Sequence, residues 1–310
     1  MLKIQENILL ADYTSFGIGG PARYFAEVES VADLKEAVKL AKEKGLEFFV
    51  LGGGSNVLVS DAGYPGLAIR VKLENISLQE NGAILIGAGV SLAQVVSFTV
   101  ENSLAGLEWA AGIPGTIGGA VVGNAGTPEG EMKNSVRKVE FFDIEKFGIF
   151  SLSGDKCDFY YRSSYFKGKK NVVILNVELA LEKGEVEEIK AKIEKKLLER
   201  RNKQPLGGRS AGSFFENPIV LDANLREEFE KEKGVKCKEN KVPAGWFIEK
   251  IDFKGKQIGG AQVSVAHANF ILNVDNAKAE DFVILASMIK QKVRDKYGVQ
   301  LKEEVQYVGF

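Results

Sequence analysis

The sequence predicts an α+β or mixed α/β protein made of two regions that meet near residue 200. In the first region, short apolar strands alternate with amphipathic helices and two glycine-rich loops. A strongly charged helix over 186–201 then changes the character of the chain, and the region after it is rich in predicted strands. The 310 residues are enough for two domains, or three, with a sizeable core.

The first predicted helix begins after Ser30, which has the spacing of a capping box with Asp33. Apolar residues at helical spacing predict its buried face: Leu34, Ala37, Val38 and Ala41. Gly45 ends this helix, and residues 48–51 (FFVL) form a short buried strand. The strand leads directly into the first glycine-rich loop, GGGSN at 52–56.

The rest of the first region repeats this pattern. A strand is predicted at 83–88 and a helix at 91–101, before a second glycine-rich loop at 112–126. Strands follow at 136–142 and 172–181.

The boundary near residue 200 is predicted from a helix and from the residues that end it. An apolar stripe along 186–201 suits a connector packed on a surface: Val186, Ile189, Ile193 and Leu197. Pro205, Gly207 and Gly208 then break the chain.

The second region contains a glycine-serine loop at 209–213, a strand-rich middle and a helix at 279–296. The inward face of that helix is predicted from its apolar residues: Phe282, Leu285, Ile289 and Val293. A last strand is predicted at 304–308.

Composition excludes several functional classes. Lys and Arg number 41 against 42 Asp and Glu, so the net charge of −1 gives no argument for binding nucleic acid or an anionic membrane. No run approaches 18 apolar residues, and the N-terminal MLKIQENILL lacks the features of a signal peptide. We therefore expect a soluble cytoplasmic protein, and no pattern calls for an obligatory protein partner.

The chain is poor in metal-ligating residues. The single histidine, His267, excludes HExxH zinc sites and multi-histidine centres, and a Ser-His-Asp triad would have to use it. Cys157 and Cys237 stand far apart, in neither a metal nor a redox spacing. Glycine is abundant, with 34 residues in clusters, so ligand binding through the backbone is expected instead of metal chemistry.

The loop at 52–56 follows a strand, so its N–H groups could line a phosphate-binding nest. It is not a P-loop, because no Gly-Lys-Ser/Thr follows, and it lacks the G-x-G-x-x-G spacing. Gly87-Ala88-Gly89 also fails that spacing, since Leu92 stands at the third position, which disfavours a Rossmann NAD site. A tight turn without a ligand accounts for GGGSN equally well.

The second loop begins GIPGTIGGA at residue 112 and continues to NAG at 124–126. Small residues over this length let a planar ligand or a pyrophosphate lie against the backbone, although a tightly packed connection is the alternative. Two such loops in one region together favour a large dinucleotide.

Three polar residues and one acidic pair stand out, and each is a weak signal alone. Arg162, in YYRSSYF, either binds a carboxylate through two hydrogen bonds or is an ordinary surface arginine. Ser213 lies in AGSFFENP, and a lone serine is usually a loop residue. A histidine such as His267 is usually structural, and Glu303-Glu304 is a pair of a kind usually found on solvated faces.

The order of these motifs resembles that of one family, the UDP-N-acetylenolpyruvoylglucosamine reductases (MurB), flavoenzymes of peptidoglycan synthesis. The resemblance runs from Thr14 to Gly309 and rests on TSFGIGGPA, GGGSN, GIPG, YRSS, AGSFFENP and the final Glu304-Val305. It implies an α+β fold with a two-lobed FAD-binding region of the vanillyl-alcohol-oxidase type and a C-terminal α+β substrate-binding domain. The implied limits are 1–60 for lobe 1, 61–185 for lobe 2, 186–204 for the connecting helix and 205–310 for the substrate-binding domain.

The resemblance implies that NADPH reduces bound FAD and that the enolpyruvyl ether of UDP-N-acetylglucosamine is then reduced to UDP-N-acetylmuramate. The implied FAD contacts fall on both glycine-rich loops: Gly52, Gly53, Gly54, Ser55, Asn56, Gly112, Ile113, Pro114, Gly118, Gly119, Asn124, Ala125 and Gly126. The implied substrate contacts are Tyr161, Lys203, Asn217 and His267.

Three residues match the family's catalytic positions. Hydride transfer to the methylene carbon of the enolpyruvyl group develops negative charge at the adjacent carbon and its carboxylate, and Arg162 is implied to stabilise that charge. Ser213 is implied to donate the proton to that carbon, and Glu304 to lie beside it, protonated or sharing a proton.

The chain departs from the longer family members because it lacks a clear counterpart of their substrate-clamping tyrosine loop, so it resembles the shorter subclass. Two other functions remain open. An FAD oxidase of the same fold is disfavoured because covalent tethering of FAD uses His or Cys, and the first region has only Cys157. A flavin- or UDP-sugar-binding module without turnover is disfavoured because Arg162, Ser213 and Glu304 are all present.

Overall fold

The computed structural model describes residues 2–205 and 208–310, which divide into two compact units. The first unit comprises Met1–Ile8, Pro21–Gly54 and Tyr64–Asn202, and the second comprises Leu9–Gly20, Ser55–Gly63 and Lys203–Phe310. Gly207, which belongs to the predicted chain break, lies outside the described residues. The domain limits implied by the family resemblance stay predictions.

The α-helices among the described residues are α1 (Val31–Glu43), α2 (Leu92–Glu101), α3 (Ile117–Val122), α4 (Val186–Lys203), α5 (Ala223–Lys233), α6 (Ala244–Lys250) and α7 (Ala279–Tyr297). The strands are β1 (Ile4–Leu9), β2 (Pro21–Val28), β3 (Phe48–Leu51), β4 (Val57–Val59), β5 (Tyr64–Val71), β6 (Ile76–Leu78), β7 (Ile84–Gly87), β8 (Leu104–Ala105), β9 (Gly126–Thr127), β10 (Gly130–Glu131), β11 (Val136–Asp143), β12 (Gly148–Ser153), β13 (Val172–Leu179), β14 (Glu182–Lys183), β15 (Gln257–Ile258), β16 (Ala261–Val263), β17 (Ile271–Asn273) and β18 (Gln306–Val308).

The first unit contains two main sheets. One has the order β1-β2-β5-β3, in which β2 and β3 run parallel to β5. The other has the order β12-β11-β13-β7-β6 and is antiparallel throughout. The four apolar residues predicted to form the inner face of α1 are all buried, so the periodicity of that helix was interpreted correctly.

The second unit is built around α7, the antiparallel sheet β15-β16-β17 and the parallel pair β4-β18. The four predicted inward residues of α7 are buried. Phe16, from the segment 9–20, contributes to this core and meets Phe282 edge-on with ring centroids 4.6 Å apart. Early parts of the chain therefore complete the hydrophobic core of the later one.

The structure corrects four local predictions. The predicted loop at 112–126 contains the short helix α3, and the strand-rich middle of the second region contains α5 and α6. Helix α5 was missed because Phe229 is its one buried residue, which leaves no apolar stripe to detect. Of the stripe predicted on α4, only Ile189 is buried. Ser30 caps α1 by accepting from the Asp33 N–H at 3.1 Å, but the Asp33 carboxylate accepts from the Glu29 N–H instead of closing the box.

Candidate active site

The two glycine-rich loops lie directly against each other within the first unit. A β-carbon added to Gly53 would lie 2.7 Å from the Gly115 Cα, and one added to Gly52 would lie 2.8 Å from the Thr116 hydroxyl. Gly115 has φ +107°, a conformation that favours glycine. The glycines therefore let the two loops pack closely against each other, where a β-carbon would force them apart. GGGSN itself is divided, since Ser55 and Asn56 belong to the second unit.

The half-buried side chain of Arg200 packs over the beginning of the second loop. Gly112 has φ +75°, and a β-carbon there would lie 3.0 Å from the Arg200 Cδ. The Arg200 Nε is buried and has no hydrogen-bond partner among the described residues. Burial lowers the pKa of the Arg200 guanidinium, and the negative charge of Glu129 raises it by a smaller amount. A cation with a buried, unused donor is suited to a bound anion or carbonyl oxygen.

The glycines of α3 differ in what they do. A β-carbon on Gly118 would lie 2.8 Å from the Ala88 Cβ, so this glycine allows α3 to pack closely on the chain after β7. Gly119 is exposed and its nearest neighbour would be 3.7 Å away, which leaves its surface open. Gly126 is held against Glu131, while the other predicted contact residues Ile113 and Ala125 pack on the core of the unit.

Asn124 anchors the second loop to the turn that carries Arg162. Its side chain is fully buried, and its amide nitrogen donates to the Glu131 carboxylate at 2.7 Å and to the Tyr160 carbonyl at 3.1 Å. Its amide oxygen accepts from the Lys133 N–H at 3.0 Å. The Asn124 side chain therefore shapes the loop through protein contacts.

Arg162 occupies a tight turn in a strained backbone conformation. Tyr160 and Ser163 exchange two backbone hydrogen bonds of 3.1 Å, which leaves Tyr161 and Arg162 at the tip. Arg162 has φ +54°, which costs a non-glycine residue energy and is often found at functional sites. Its guanidinium lies 5.2 Å from the centroid of the Tyr161 ring, and its carbonyl accepts from the Lys167 ammonium at 2.7 Å. The turn therefore places the predicted substrate contact Tyr161 and the predicted catalytic residue Arg162 side by side at its tip.

Within the second unit, the segments that carry Ser213 and Glu304 are joined by hydrogen bonds. The Glu304 N–H donates to the Phe214 carbonyl at 2.8 Å, and the Glu216 N–H donates to the Lys302 carbonyl at 2.9 Å. Gly212, at φ +73°, makes the turn just before Ser213. Sequence positions 91 residues apart are thus brought onto neighbouring segments, as the predicted shared role of Ser213 and Glu304 requires.

The two residues of the acidic pair, Glu303 and Glu304, make different contacts. The Glu303 carboxylate accepts from the Lys290 ammonium at 2.9 and 3.1 Å, so Glu303 has a structural ion pair. Glu304 is held through its backbone: its carbonyl accepts from the Asn56 side-chain amide at 3.1 Å, beside the parallel pair β4-β18. Asn56, predicted as an FAD contact, therefore also supports the Glu304 segment.

The remaining predicted substrate contacts lie in the second unit. The Asn217 side-chain oxygen accepts from the Ala244 N–H at 3.0 Å, and Lys203 is exposed as the last residue of α4. The His267 Nδ1 accepts from the Asn269 N–H at 3.2 Å, so a neutral ring carries its proton on Nε2. Burial lowers the pKa of His267, which favours that neutral form.

Comparison with known proteins decides the family. Residues 22–145 match the model of an FAD binding domain, and residues 204–308 match that of the UDP-N-acetylenolpyruvoylglucosamine reductase C-terminal domain. The reductase of Solibacter usitatus is 37% identical over 99% of this chain and 97% of its own length. That of Alkaliphilus oremlandii is 38% identical over 99% and 95%.

The chain belongs to the UDP-N-acetylenolpyruvoylglucosamine reductase family. The crystal structure of the Thermus caldophilus member, MurB, matches with a TM-score of 0.79 and 30% identity, over 99% of this chain and all of that one. These matches confirm the predicted family, the α+β flavoprotein fold and FAD as cofactor. The protein is an FAD-dependent oxidoreductase.

The residues of the first unit fit FAD. The adjoining loops carry backbone without side chains, which is open at the exposed Gly119, and the buried Arg200 Nε provides a donor without a partner among the described residues. Within 2–205 and 208–310, no group of three or more His, Cys, Asp or Glu is placed to hold a metal ion. Over the same residues, no helix is both long and apolar enough to cross a membrane.

Sequence reasoning missed Arg200 and Asn269. Arg200 lies in the charged run LLERRNK, where the pattern predicts a solvated helix face. Asn269, which hydrogen-bonds the backbone of Phe215, stands in an apolar stretch with no local signal for a role. In both cases the role depends on contact with a distant part of the chain: Gly112 for Arg200 and Phe215 for Asn269.

Proposed function

We propose that this chain reduces the enolpyruvyl ether of UDP-N-acetylglucosamine to UDP-N-acetylmuramate, with NADPH as electron donor and Ser213 as proton donor. One observation supports it beyond family membership: the Ser213 and Glu304 segments are joined through the Phe214 carbonyl and the Glu304 N–H at 2.8 Å. Two residues that must serve one carbon atom are thereby held on adjacent segments of one unit.

FAD would be held by the glycine-rich loops around Gly53 and Gly115 and by Arg200; when reduced by NADPH it supplies the hydride for the methylene carbon of the substrate. The protein's own residues manage the charge and the proton. Arg162 offsets the negative charge that develops on the carboxylate of the substrate, the kind of electrostatic stabilisation that usually contributes most to such steps. The turn at 160–163 holds the Arg162 backbone, and the guanidinium lies 5.2 Å from the centroid of the Tyr161 ring; both contacts support a guanidinium that is oriented before the substrate binds.

Ser213 donates its hydroxyl proton to the carbon next to the carboxylate. Because a serine hydroxyl is a weak acid in water, it needs a neighbour that shares or replaces the proton, and we assign that role to Glu304. Tyr161, Lys203, Asn217 and His267 are proposed to contact the sugar nucleotide. The proposed sugar-nucleotide substrate and NADPH are cytoplasmic metabolites, so we propose that the protein acts in the cytoplasm.

The visible spectrum of the purified protein tests this proposal. FAD should be present, should bleach with NADPH in the absence of oxygen, and should be reoxidised by the enolpyruvyl substrate. Reoxidation by oxygen but not by the substrate would favour an oxidase instead. A flavin that NADPH cannot reduce would indicate a binding module, and a protein that cannot be loaded with FAD would refute the proposal.

A further inference from the structure

A buried asparagine outside the predicted site holds the two residues that follow Ser213. Asn269 is 3% exposed and lies in the loop between β16 and β17. Its side-chain oxygen accepts from the Phe215 N–H at 3.0 Å, and its side-chain nitrogen donates to the Phe215 carbonyl at 2.8 Å. Its own carbonyl accepts from the Phe214 N–H at 2.7 Å.

These contacts account for every backbone polar group of Phe214 and Phe215. Asn269 satisfies three of the four, and the fourth, the Phe214 carbonyl, accepts from the Glu304 N–H at 2.8 Å. The backbone that follows Ser213 is therefore fixed on one side by Asn269 and on the other by Glu304. Since these groups are buried, losing one of their partners leaves a polar group without compensation.

Asn269 is itself oriented by its own loop. Its N–H donates to the His267 Nδ1 at 3.2 Å, and the Ser264 hydroxyl accepts from the His267 N–H at 3.3 Å. Ser264 is buried, so the loop that presents Asn269 is held from within. Such a rigid support is what the placement of a proton donor within a few tenths of an ångström requires.

We infer that Asn269 is a positioning residue for proton transfer: it sets the position of the Ser213 hydroxyl relative to Glu304 by holding the Phe214–Phe215 backbone. This inference rests on the proposed role of Ser213 as proton donor. A displacement of the donor of about 1 Å is enough to slow a positioned step by about 100-fold. Asn269 contributes no atom to the reaction, so it acts through Ser213.

The test uses Asn269→Ala and Asn269→Asp in the FAD-loaded enzyme. Both should bind FAD and be bleached by NADPH at the wild-type rate, while reoxidation by the substrate in a single turnover slows by about 10- to 100-fold. The solvent deuterium isotope effect on reoxidation should rise, because proton transfer becomes more fully rate-limiting. Asn269→Asp keeps the acceptor for the Phe215 N–H and replaces the donor to the Phe215 carbonyl by a carboxylate oxygen, so it breaks that bond without leaving a cavity and is the second variant if the alanine variant does not fold.

Asn273→Ala is the matched control. Asn273 is also buried, in the adjacent strand β17, and its side chain donates to the Phe16 carbonyl and accepts from the Ala277 N–H, both at 2.9 Å. It should lose stability as Asn269→Ala does, with an unchanged isotope effect. An isotope effect that rises equally in both variants would reduce Asn269 to a structural role and overturn the inference.

The double variant Ser213→Ala/Asn269→Ala separates this inference from the proposed function. If Asn269 acts through Ser213, the double variant should be no slower in reoxidation than Ser213→Ala alone. Additive losses would overturn the positioning role. If Ser213→Ala alone reoxidises at the wild-type rate, the proton-donor assignment fails instead, whatever Asn269→Ala does.

Discussion

Replacing Gly53 by alanine tests whether the contact between the glycine-rich loops supports FAD binding. The added β-carbon would lie 2.7 Å from the Gly115 Cα, 3.3 Å from its carbonyl carbon and 3.4 Å from the Thr116 nitrogen. All three are backbone atoms, so no side-chain rotation relieves the clash. The backbone of Gly53 does not have a positive φ, which makes the effect one of space alone.

The magnitude follows from the geometry. Ordinary contact between such atoms begins near 3.4 Å, so the loops must separate by about 0.7 Å. Forcing an extra carbon into a packed position typically costs about 1–3 kcal/mol. If FAD binds only when the loops are in contact, the cost of bringing them together again weakens FAD affinity by about 5- to 150-fold.

The assay compares Gly53→Ala with the control Gly123→Ala. A β-carbon on Gly123 would have its nearest neighbour at 3.8 Å, and the backbone φ of Gly123 is −90°, so alanine fits there without a clash or strain. Urea unfolding of the apoprotein measures the stability cost, and titration with FAD followed by flavin fluorescence measures the affinity. Gly123→Ala should resemble the wild type in both. If Gly53→Ala matched Gly123→Ala in both measurements, the reasoning about the loop contact would be wrong.

Four further predictions concern the proposed chemistry. Ser213→Ala should bind FAD and accept electrons from NADPH normally but slow substrate reduction by about 10²–10⁴-fold in stopped-flow reoxidation; an unchanged rate would remove the serine from the mechanism. Glu304→Gln should show the same split between the half-reactions, and a defect in NADPH oxidation instead would contradict its assignment. Arg162→Lys should stay slow in steady-state turnover, because the guanidinium fork is lost while the charge remains; near-full activity would argue against the carboxylate contact. Burial lowers the pKa of His267 below its unfolded value of about 6.5, so the free energy of unfolding should decline as the pH falls below that value. Urea unfolding of the wild type and His267→Gln from pH 8 to 5 should show a steeper pH dependence of that free energy in the wild type, and equal pH dependence would contradict the burial argument.

The buried faces of α1 and α7 could be predicted well from the sequence, whereas the stripe predicted on α4 is buried only at Ile189. The inner residues of α1 and α7 are buried as expected, because a stripe at helical spacing has few ways to avoid water other than facing a core. Helix α5 has Phe229 as its one buried residue and carried no such signal. Its recognition needs the rest of the unit against which Phe229 packs.

The candidate site was predicted through its motifs, and its supporting contacts were not. The two glycine-rich loops could be selected as candidate ligand-binding segments because a series of small residues leaves the main chain open to close approach, but their contact at Gly53 and Gly115 could not. The buried donor of Arg200 could not, since nothing in a charged helical run shows which side chain the fold will cover. The lowered pKa of Arg200 results from that burial, so it could not be predicted from the sequence either.

By itself, the sequence determined the family, the cofactor class and the buried faces of α1 and α7, because these follow from local spacing and from motif order. Only the tertiary structure decided that Asn56 supports Glu304, that Asn124 supports the turn of Arg162, and that Asn269 holds the backbone after Ser213. The physical reason is common to all three. Each is a hydrogen bond between segments distant in the sequence, and such a bond exists only once folding has brought the two segments together.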